Sequence, residues 1–424
     1  MLTCLNRMSG KLKKLKRRWK FWTKDQAGRN ILYIYLYGAF TNSIFYWVLS
    51  NTIFLSRGMS PTQLVILNLI FGISFLFFVI PGGIFGDKFG KRNALFICLG
   101  FGILKIFLIL IADSFFLFTL SSIFNAAERG FERGNRNGLL YESFKVKGQL
   151  KKYMQGTGLY EFIRMGVYSV IAIIGGILGS LIGLDFLIWI SFPGLIFAFF
   201  TVLKMRSLAK RRQRKKRITI ANMSILKNSL RTVKKRKGLS MIIFYQALIV
   251  VILIFLWDYN ELYFDVANLP IALFGVATAF MSLAEGIPQI FSAKLFGKMP
   301  RKRAFASLMI TCNISLAAAV FLPGIAGLFF FLLTVTIISF SFPLCAEYMN
   351  HRAPSVYRAT ILSIANFIEQ GLYIVLGLAF AFLIEIWGVR HAYLLIAVVG
   401  LIYGTIYFFS SRKSKVSKNI IRKN

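Results

Sequence analysis

The chain of 424 residues is 57% hydrophobic and 16% aromatic, and only 16% of it is charged. A water-soluble protein of this length needs far more charged surface, so a soluble globular class is excluded. The formal net charge of +37 suits nucleic acid at first sight, but the distribution of the cations points to a membrane.

In chain order, segment 1–30 is basic, with Leu12, Leu15, Trp19 and Trp22 spaced among lysines and arginines. That pattern suits an amphipathic helix lying on anionic lipid. The segment has no apolar core and no small-residue cleavage site, so no cleavable signal is expected. Twelve candidate spans follow, each near the ~20 apolar residues needed to cross a bilayer. They are 31–55, 62–86, 93–112, 114–141, 156–183, 185–205, 239–263, 270–296, 303–323, 325–348, 356–386 and 391–411. Between the sixth and seventh, 204–237 holds 15 Lys and Arg and no Asp or Glu. Within it Met223, Leu226, Leu230 and Val233 recur at helical spacing beside Lys227, Arg231, Lys234 and Lys235, a second basic amphipathic helix.

The expected layout is a cytoplasmic N-terminus (1–30), a six-helix bundle (31–205), a basic linker (206–238), a second bundle (239–411) and a basic tail (412–424). This is an all-α membrane protein of twelve transmembrane helices in two pseudo-symmetric six-helix bundles. The Lys and Arg residues cluster in 1–29, 87–92, 142–152, 204–237, 294–303, 350–358 and 412–424, which all share one side if the spans alternate. The opposite loops hold only Arg57 and Arg390. By the positive-inside rule both termini and the linker face the cytoplasm across the cell membrane. The cations then contact anionic lipid, and no nucleic-acid partner is expected.

Ionisable residues inside a bilayer are costly and therefore functional candidates. Span 4 carries Glu128, Arg129, Glu132, Arg133 and Arg136. Arg129 with Glu132, and Glu132 with Arg136, are spaced to meet along a helix. Counted from Ser114, Glu128 and Arg129 lie about 21 Å deep at ~1.5 Å per residue. Span 5 adds Glu161 and Arg164. Arg129 and Arg164 suit an anionic group of a substrate. Glu285 and Glu369 lie near mid-depth, with no Lys or Arg in the apolar parts of spans 7–12 to neutralise them. Low dielectric favours the protonated form of a carboxylate, so Glu369, Glu285 and Glu128 are the candidates for carrying a proton or cation. Asn42 and Tyr46, four apart in span 1, together with Glu132, Glu161, Gln246, Gln289 and Gln370, complete the expected cavity. Trp257, Asp258 and Glu261 fall near the outer end of span 7. Lys105 in span 3 is read as snorkelling to the surface.

The stretch Gly83-Ile84-Phe85-Gly86-Asp87-Lys88-Phe89-Gly90-Lys91-Arg92 is a glycine-punctuated acidic-then-basic loop between two apolar spans. It resembles the signature loop of the major facilitator superfamily, although Lys91 stands where that family usually has arginine. A weaker echo, Ala293-Lys294-Leu295-Phe296-Gly297-Lys298-Met299-Pro300-Arg301-Lys302-Arg303, falls where an internal repeat would place it. Leu139-Leu140-Tyr141-Glu142-Ser143, ending span 4, and Tyr357-Arg358-Ala359-Thr360, opening span 11, are similar to motifs of bacterial members. The resemblance implies alternating access by two rocking bundles. It also implies a conformational latch built from Gly83, Asp87, Gly90, Lys91, Arg92, Glu142 and Arg358. Asp87 would rest at the amino end of span 11, and Lys91 or Arg92 would pair with Glu142. The proline-bearing antiporter motif of span 5 is absent from around Gly175, Gly176 and Gly179.

Enzyme readings find little material. Gly86–Lys91 is one residue short of a phosphate loop, and Arg92 replaces its Ser/Thr. His351 and His391 are the only histidines, and Cys4, Cys98, Cys312 and Cys345 are scattered, so neither a metal site nor a disulfide framework is expected. The sequence therefore reads as a monomeric, proton-coupled secondary transporter without cofactors. It moves a small molecule, with drug or metabolite efflux placed slightly ahead of uptake. A lipid or lysolipid flippase and a transport-incompetent sensor are the alternatives.

Overall fold

The computed structural model describes residues 25–206, 231–235, 237–296, 299–352 and 358–421. The basic N-terminal segment, most of the linker, Gly297 and Lys298 of the signature echo, and Tyr357 lie outside these residues. The described chain is helical, with no strand, and falls into two compact units. The first is Met1–Val48 with Ile70–Arg214, and the second is Leu49–Leu69 with Lys215–Asn424.

The first helix, α1 (Gln26–Thr41), begins at Asp25, whose carboxylate accepts from the Gly28 amide at 2.6 Å. Burial pushes this carboxyl up, but the Gly28 amide and the Lys147 ammonium outweigh burial and hold it below its ordinary value. The sequence Thr41-Asn42-Ser43 then ends the helix. Thr41 Oγ1, Asn42 Nδ2 and Ser43 Oγ donate back to the carbonyls of Tyr37, Gly38 and Ala39 at 2.8, 2.8 and 3.0 Å. Such side-chain bonds compete with the backbone ladder. A 3₁₀ turn follows (Phe45–Leu49), and then α2 (Ser50–Ser56). Ser191 Oγ accepts from the Phe45 and Tyr46 amides at 2.9 and 3.3 Å, which satisfies backbone donors exposed by the break.

Helix α3 (Pro61–Phe89) opens with a capping box. The Ser60 amide donates to Gln63 Oε1 (2.9 Å) and the Gln63 amide to Ser60 Oγ (3.2 Å). A single residue, Gly90 at φ 99°, turns the chain into α4 (Lys91–Ile111). The expected loop from Gly83 to Arg92 is therefore mostly helix. Its apolar neighbours and the preceding helical run carry α3 through Phe89, and only Gly90 takes the positive φ that ends it. The first unit continues with α5 (Phe115–Val146), α6 (Tyr153–Leu181), α7 (Leu184–Trp189) and α8 (Phe192–Lys204).

Close helix packing in this unit depends on glycine. A Cβ at Gly82 would sit 2.7 Å from the Gly130 carbonyl oxygen, and one at Gly130 would sit 2.9 Å from the Phe78 backbone. Helices α3 and α5 thus cross backbone to backbone, as small residues allow in membranes. Asn135 fills the space beside Gly86 and donates to the Gly82 carbonyl at 2.9 Å.

The second unit contains α9 (Lys237–Asp258), α10 (Asn260–Val266), α11 (Ile271–Phe296), α12 (Arg301–Phe321), α13 (Gly324–Arg352) and α14 (Arg358–Ile421). Helix α14 changes direction at Gly388, whose φ of 78° and ψ of 174° are non-helical. The core is aromatic: Phe255, Tyr259, Phe380 and Tyr393 stack or meet edge-on, and Tyr263 lies 4.4 Å from Phe331. In both units large apolar side chains such as Phe77, Phe162, Ile290 and Ile325 point outward, which suits a hydrocarbon solvent and not water.

Among the described residues, nine helices are long and apolar enough to cross a membrane. The difference from the twelve expected spans falls at three places. The first span is broken after Thr41, and the fourth carries five charged residues. The eleventh and twelfth form one run, Ile364–Phe409, that includes Gly388.

Candidate functional site

The charged face of the first unit is built on α5. Residues 125, 128, 129, 132 and 136 recur at three- and four-residue intervals and so lie along one side of the helix. Buried Glu128 places Oε2 2.5 Å from Lys105 Nζ, which is also 3.4 Å from Asn125 Oδ1. Two turns along α5, Arg136 Nε pairs with Glu132 Oε1 at 2.5 Å, and its guanidinium stacks over Tyr160 at 3.9 Å. Helix α6 adds Glu161, which accepts from Arg164 Nε at 2.7 Å and lies 3.8 Å from Arg136 Nη1. Arg164 Nη1 reaches Asn42 Oδ1 at 3.5 Å. The result is a row of ion pairs from α4 across α5 to α6. Pairing is what makes charge tolerable inside a membrane.

Three expectations change here. Lys105 does not snorkel: only 1% of its side chain is exposed. Its carbonyl accepts from Ser121 Oγ, yet its ammonium runs one to two turns farther along α5, away from the near end of α4. Helix side chains lean toward the helix N-terminus, which here is the direction of Glu128. Arg129 does not pair with Glu132, because Arg136 takes that carboxylate; Arg129 instead lies over the Trp47 ring, 4.5 Å from its centroid. Asn42 and Tyr46 do not share a helical face, because α1 ends at Thr41, before both of them, and both are buried.

In the second unit Asp258, Glu261, Glu285 and Glu385 have neutral partners, whereas Glu347 pairs with Arg301 at 2.7 Å. Glu261 is 4% exposed and accepts from the Asn51 amide (3.1 Å), the Thr52 amide (2.9 Å), Thr52 Oγ1 (2.8 Å) and Ser50 Oγ (3.5 Å). Asp258 accepts from Tyr373 Oη at 3.0 Å, and its carbonyl accepts from Asn51 Nδ2 at 2.7 Å. Glu285 is not a bare carboxylate, since Trp257 Nε1 donates to it at 2.8 Å, and Gln289 donates to the Glu285 carbonyl at 3.1 Å. Glu385 accepts from Thr62 Oγ1. Glu369 and Gln370 are half-buried on α14, and Gln246 is half-buried on α9. Position near a span end gives Glu261 and Asp258 too little weight; the signal that raises them is that no Lys or Arg occurs between 239 and 293.

At the turn between α3 and α4, Lys91 pairs with Glu142 on α5. Arg92 instead caps α8, donating to the carbonyls of Val202 (3.1 Å) and Leu203 (2.8 Å), as cations do at helix C-termini. Asp87 is exposed in the last turn of α3, and Gly83 lies inside that helix with open space beside it. Arg358 is the first residue of α14, and its side chain lies outside the described ones.

An all-helical chain with apolar outer faces, and with ion pairs held inside its first unit, is a multi-pass membrane protein. Residues 31–377 match the family model described as Major Facilitator Superfamily. Among curated proteins no sequence matches. Solved structures share the fold at low identity. One is a bacterial homologue of the human lysosomal transporter Spinster, inward-facing and unoccupied. It has a TM-score of 0.71 and 15% identity, covering 92% of this chain and 98% of that one. Another is the nucleoside transporter NupG in a mutant form, with a TM-score of 0.71, 13% identity and coverage of 93% and 98%. A third is a D-xylose–proton symporter, with a TM-score of 0.69, 14% identity and coverage of 89% and 97%. The chain belongs to the major facilitator superfamily. It is a transporter and not an enzyme, and its cargo is a small molecule.

Proposed function

We propose that the protein is a proton-coupled secondary transporter that works by alternating access, with drug or metabolite efflux slightly favoured over uptake. Twelve spans in two six-helix bundles, both termini in the cytoplasm, a place in the cell membrane and a monomeric state complete this reading. The observation that carries the coupling is the contrast between the units. The first holds its carboxylates in ion pairs with Lys105, Arg136 and Arg164. In the second, Asp258, Glu261 and Glu285 accept from hydroxyl, amide and indole donors, and Glu369 lies in a stretch, 359–389, without Lys or Arg. A carboxylate bonded to neutral donors can exchange a proton without leaving a buried cation behind, which suits it to carry protons. Glu369 and Glu285 are the coupling residues. The exposed Asp87 and the Lys91–Glu142 pair belong to the latch at the basic face, and the cationic surface rests on anionic lipid.

The test uses full-length protein in proteoliposomes with a lumenal pH dye and a panel of amino acids, sugars, organic acids, cationic drugs and lysolipids. One class is expected to drive a pH change that is lost in Glu369→Gln. Cargo exchange that ignores both the pH gradient and that substitution would sink proton coupling. Activity confined to lysolipid would replace the reading with a flippase.

A further inference from the structure

The charges inside the first unit do not cancel. Glu128 neutralises Lys105, Glu132 neutralises Arg136, and Glu161 serves Arg164 with Arg136 nearby. Arg129 and the exposed Arg133 are left over, and of the two Arg129 is the one drawn partly into the protein. Among the described residues it makes neither an ion pair nor a hydrogen bond; its guanidinium carbon lies 4.5 Å from the Trp47 ring centroid. The same ring already carries Lys105 Nζ at 4.9 Å, so two cations share one indole, while the Glu128 carboxylate is taken by Lys105. An aromatic face attracts a cation but does not neutralise it. A membrane-embedded guanidinium without an anion is costly enough that its retention needs a reason.

We infer that the cargo supplies the missing anion: it carries a carboxylate or phosphate group that binds the guanidinium of Arg129, with Trp47 holding that guanidinium in place. This rests on the transporter reading and names the substrate class for it. Arg129 is half-buried, so part of its donor edge stays open. Its planar fork matches a carboxylate or phosphate with two parallel hydrogen bonds, which a lysine cannot reproduce. Arg164, bonded to Asn42, flanks the same stretch of chain, residues 42–47, from α6. A second contact for a dianionic group is therefore near at hand, whereas Lys105 is held by Glu128 and is not free to serve.

The experiment measures the melting temperature of the full-length protein in a non-ionic detergent and a chloride buffer, for wild type, Arg129→Gln and Arg133→Gln. Arg133 is exposed on the same helix and serves as the control. If Arg129 lacks a counter-ion, Arg129→Gln melts higher than wild type before any ligand is added, and Arg133→Gln does not. An unchanged or lower melting temperature for Arg129→Gln overturns the proposal, because the arginine would then be a structural contact. Lactate, benzoate, glucose 6-phosphate and phenyl phosphate are next compared with glycerol, benzyl alcohol and glucose. A ligand that binds only the native state raises the melting temperature. Stabilisation by an anion but not by its uncharged partner, weakened at least ~10-fold in apparent affinity by Arg129→Gln, supports the inference and separates carboxylate from phosphate. Equal stabilisation by the uncharged partner, or a response retained in Arg129→Gln, overturns it. Failure of the transporter reading would look different: no cargo would change lumenal pH or exchange across vesicles, whatever the melting temperatures showed.

Discussion

Removing either member of the Lys105–Glu128 pair leaves the other charged and buried, whereas removing both leaves only an apolar gap to fill. Lys105→Met and Glu128→Gln should each lower stability by about 3–5 kcal/mol, while Lys105→Met combined with Glu128→Leu should recover most of that loss. Denaturation midpoints at fixed detergent concentration decide it, and simply additive losses would show that the two side chains do not act as a pair. At this scale the sequence is partly legible. The Glu132–Arg136 pair follows from four-residue spacing on one helix, and the structure has it at 2.5 Å. Lys105 is misread when a long cation in a span is assumed to seek the surface, because the lean of helix side chains toward the N-terminus aims it at Glu128. The position of Arg129 over Trp47 is not legible at all, since the two residues come from different elements and no local periodicity relates them.

At the scale of elements, glycine spacing controls contacts that hydrophobicity cannot reveal. Gly130 and Gly134 stand one turn apart on α5, yet a Cβ at the first would strike the Phe78 backbone at 2.9 Å while the second has nothing within 4 Å. Gly130→Ala should therefore destabilise the protein and loosen the α3–α5 crossing. Gly134→Ala should be neutral or stabilising by up to ~1 kcal/mol through helix propensity. Thermal unfolding of the two variants side by side is the check, and equal behaviour would mean that the crossing tolerates a methyl group. The breaks in the helices are harder to foresee than the helices themselves. A polar triplet, Thr41-Asn42-Ser43, ends α1 inside what reads as one apolar span, and the acceptor that makes the break tolerable is Ser191, far along the chain. Gly90, expected within a long loop, instead forms the entire turn.

At the scale of the molecule, the all-helical membrane class is legible from composition alone, and the family from one turn and two short motifs. The basic segments predict an orientation by the positive-inside rule: protease digestion of N- or C-terminal tags should proceed in inside-out vesicles and fail in intact cells. Cleavage of either tag from outside intact cells would contradict the charge-based topology. What composition cannot convey is the unequal chemistry of the two units, since it depends on which partners meet each carboxylate. Glu261, for example, is satisfied by two amides and two hydroxyls from residues 50–52.

The bare backbone crossing at Gly82 and Gly130 also has a practical use. Two helices that touch main chain to main chain have little room to slide, so a pair of spin labels at the exposed positions Ile84 and Arg133 should report a constant separation through the transport cycle. That separation is an internal ruler. Any change seen between a label on α3 or α5 and a label elsewhere can be calibrated against it, and a distance distribution that broadened at the ruler itself would warn that the label, or the detergent, had disturbed the protein.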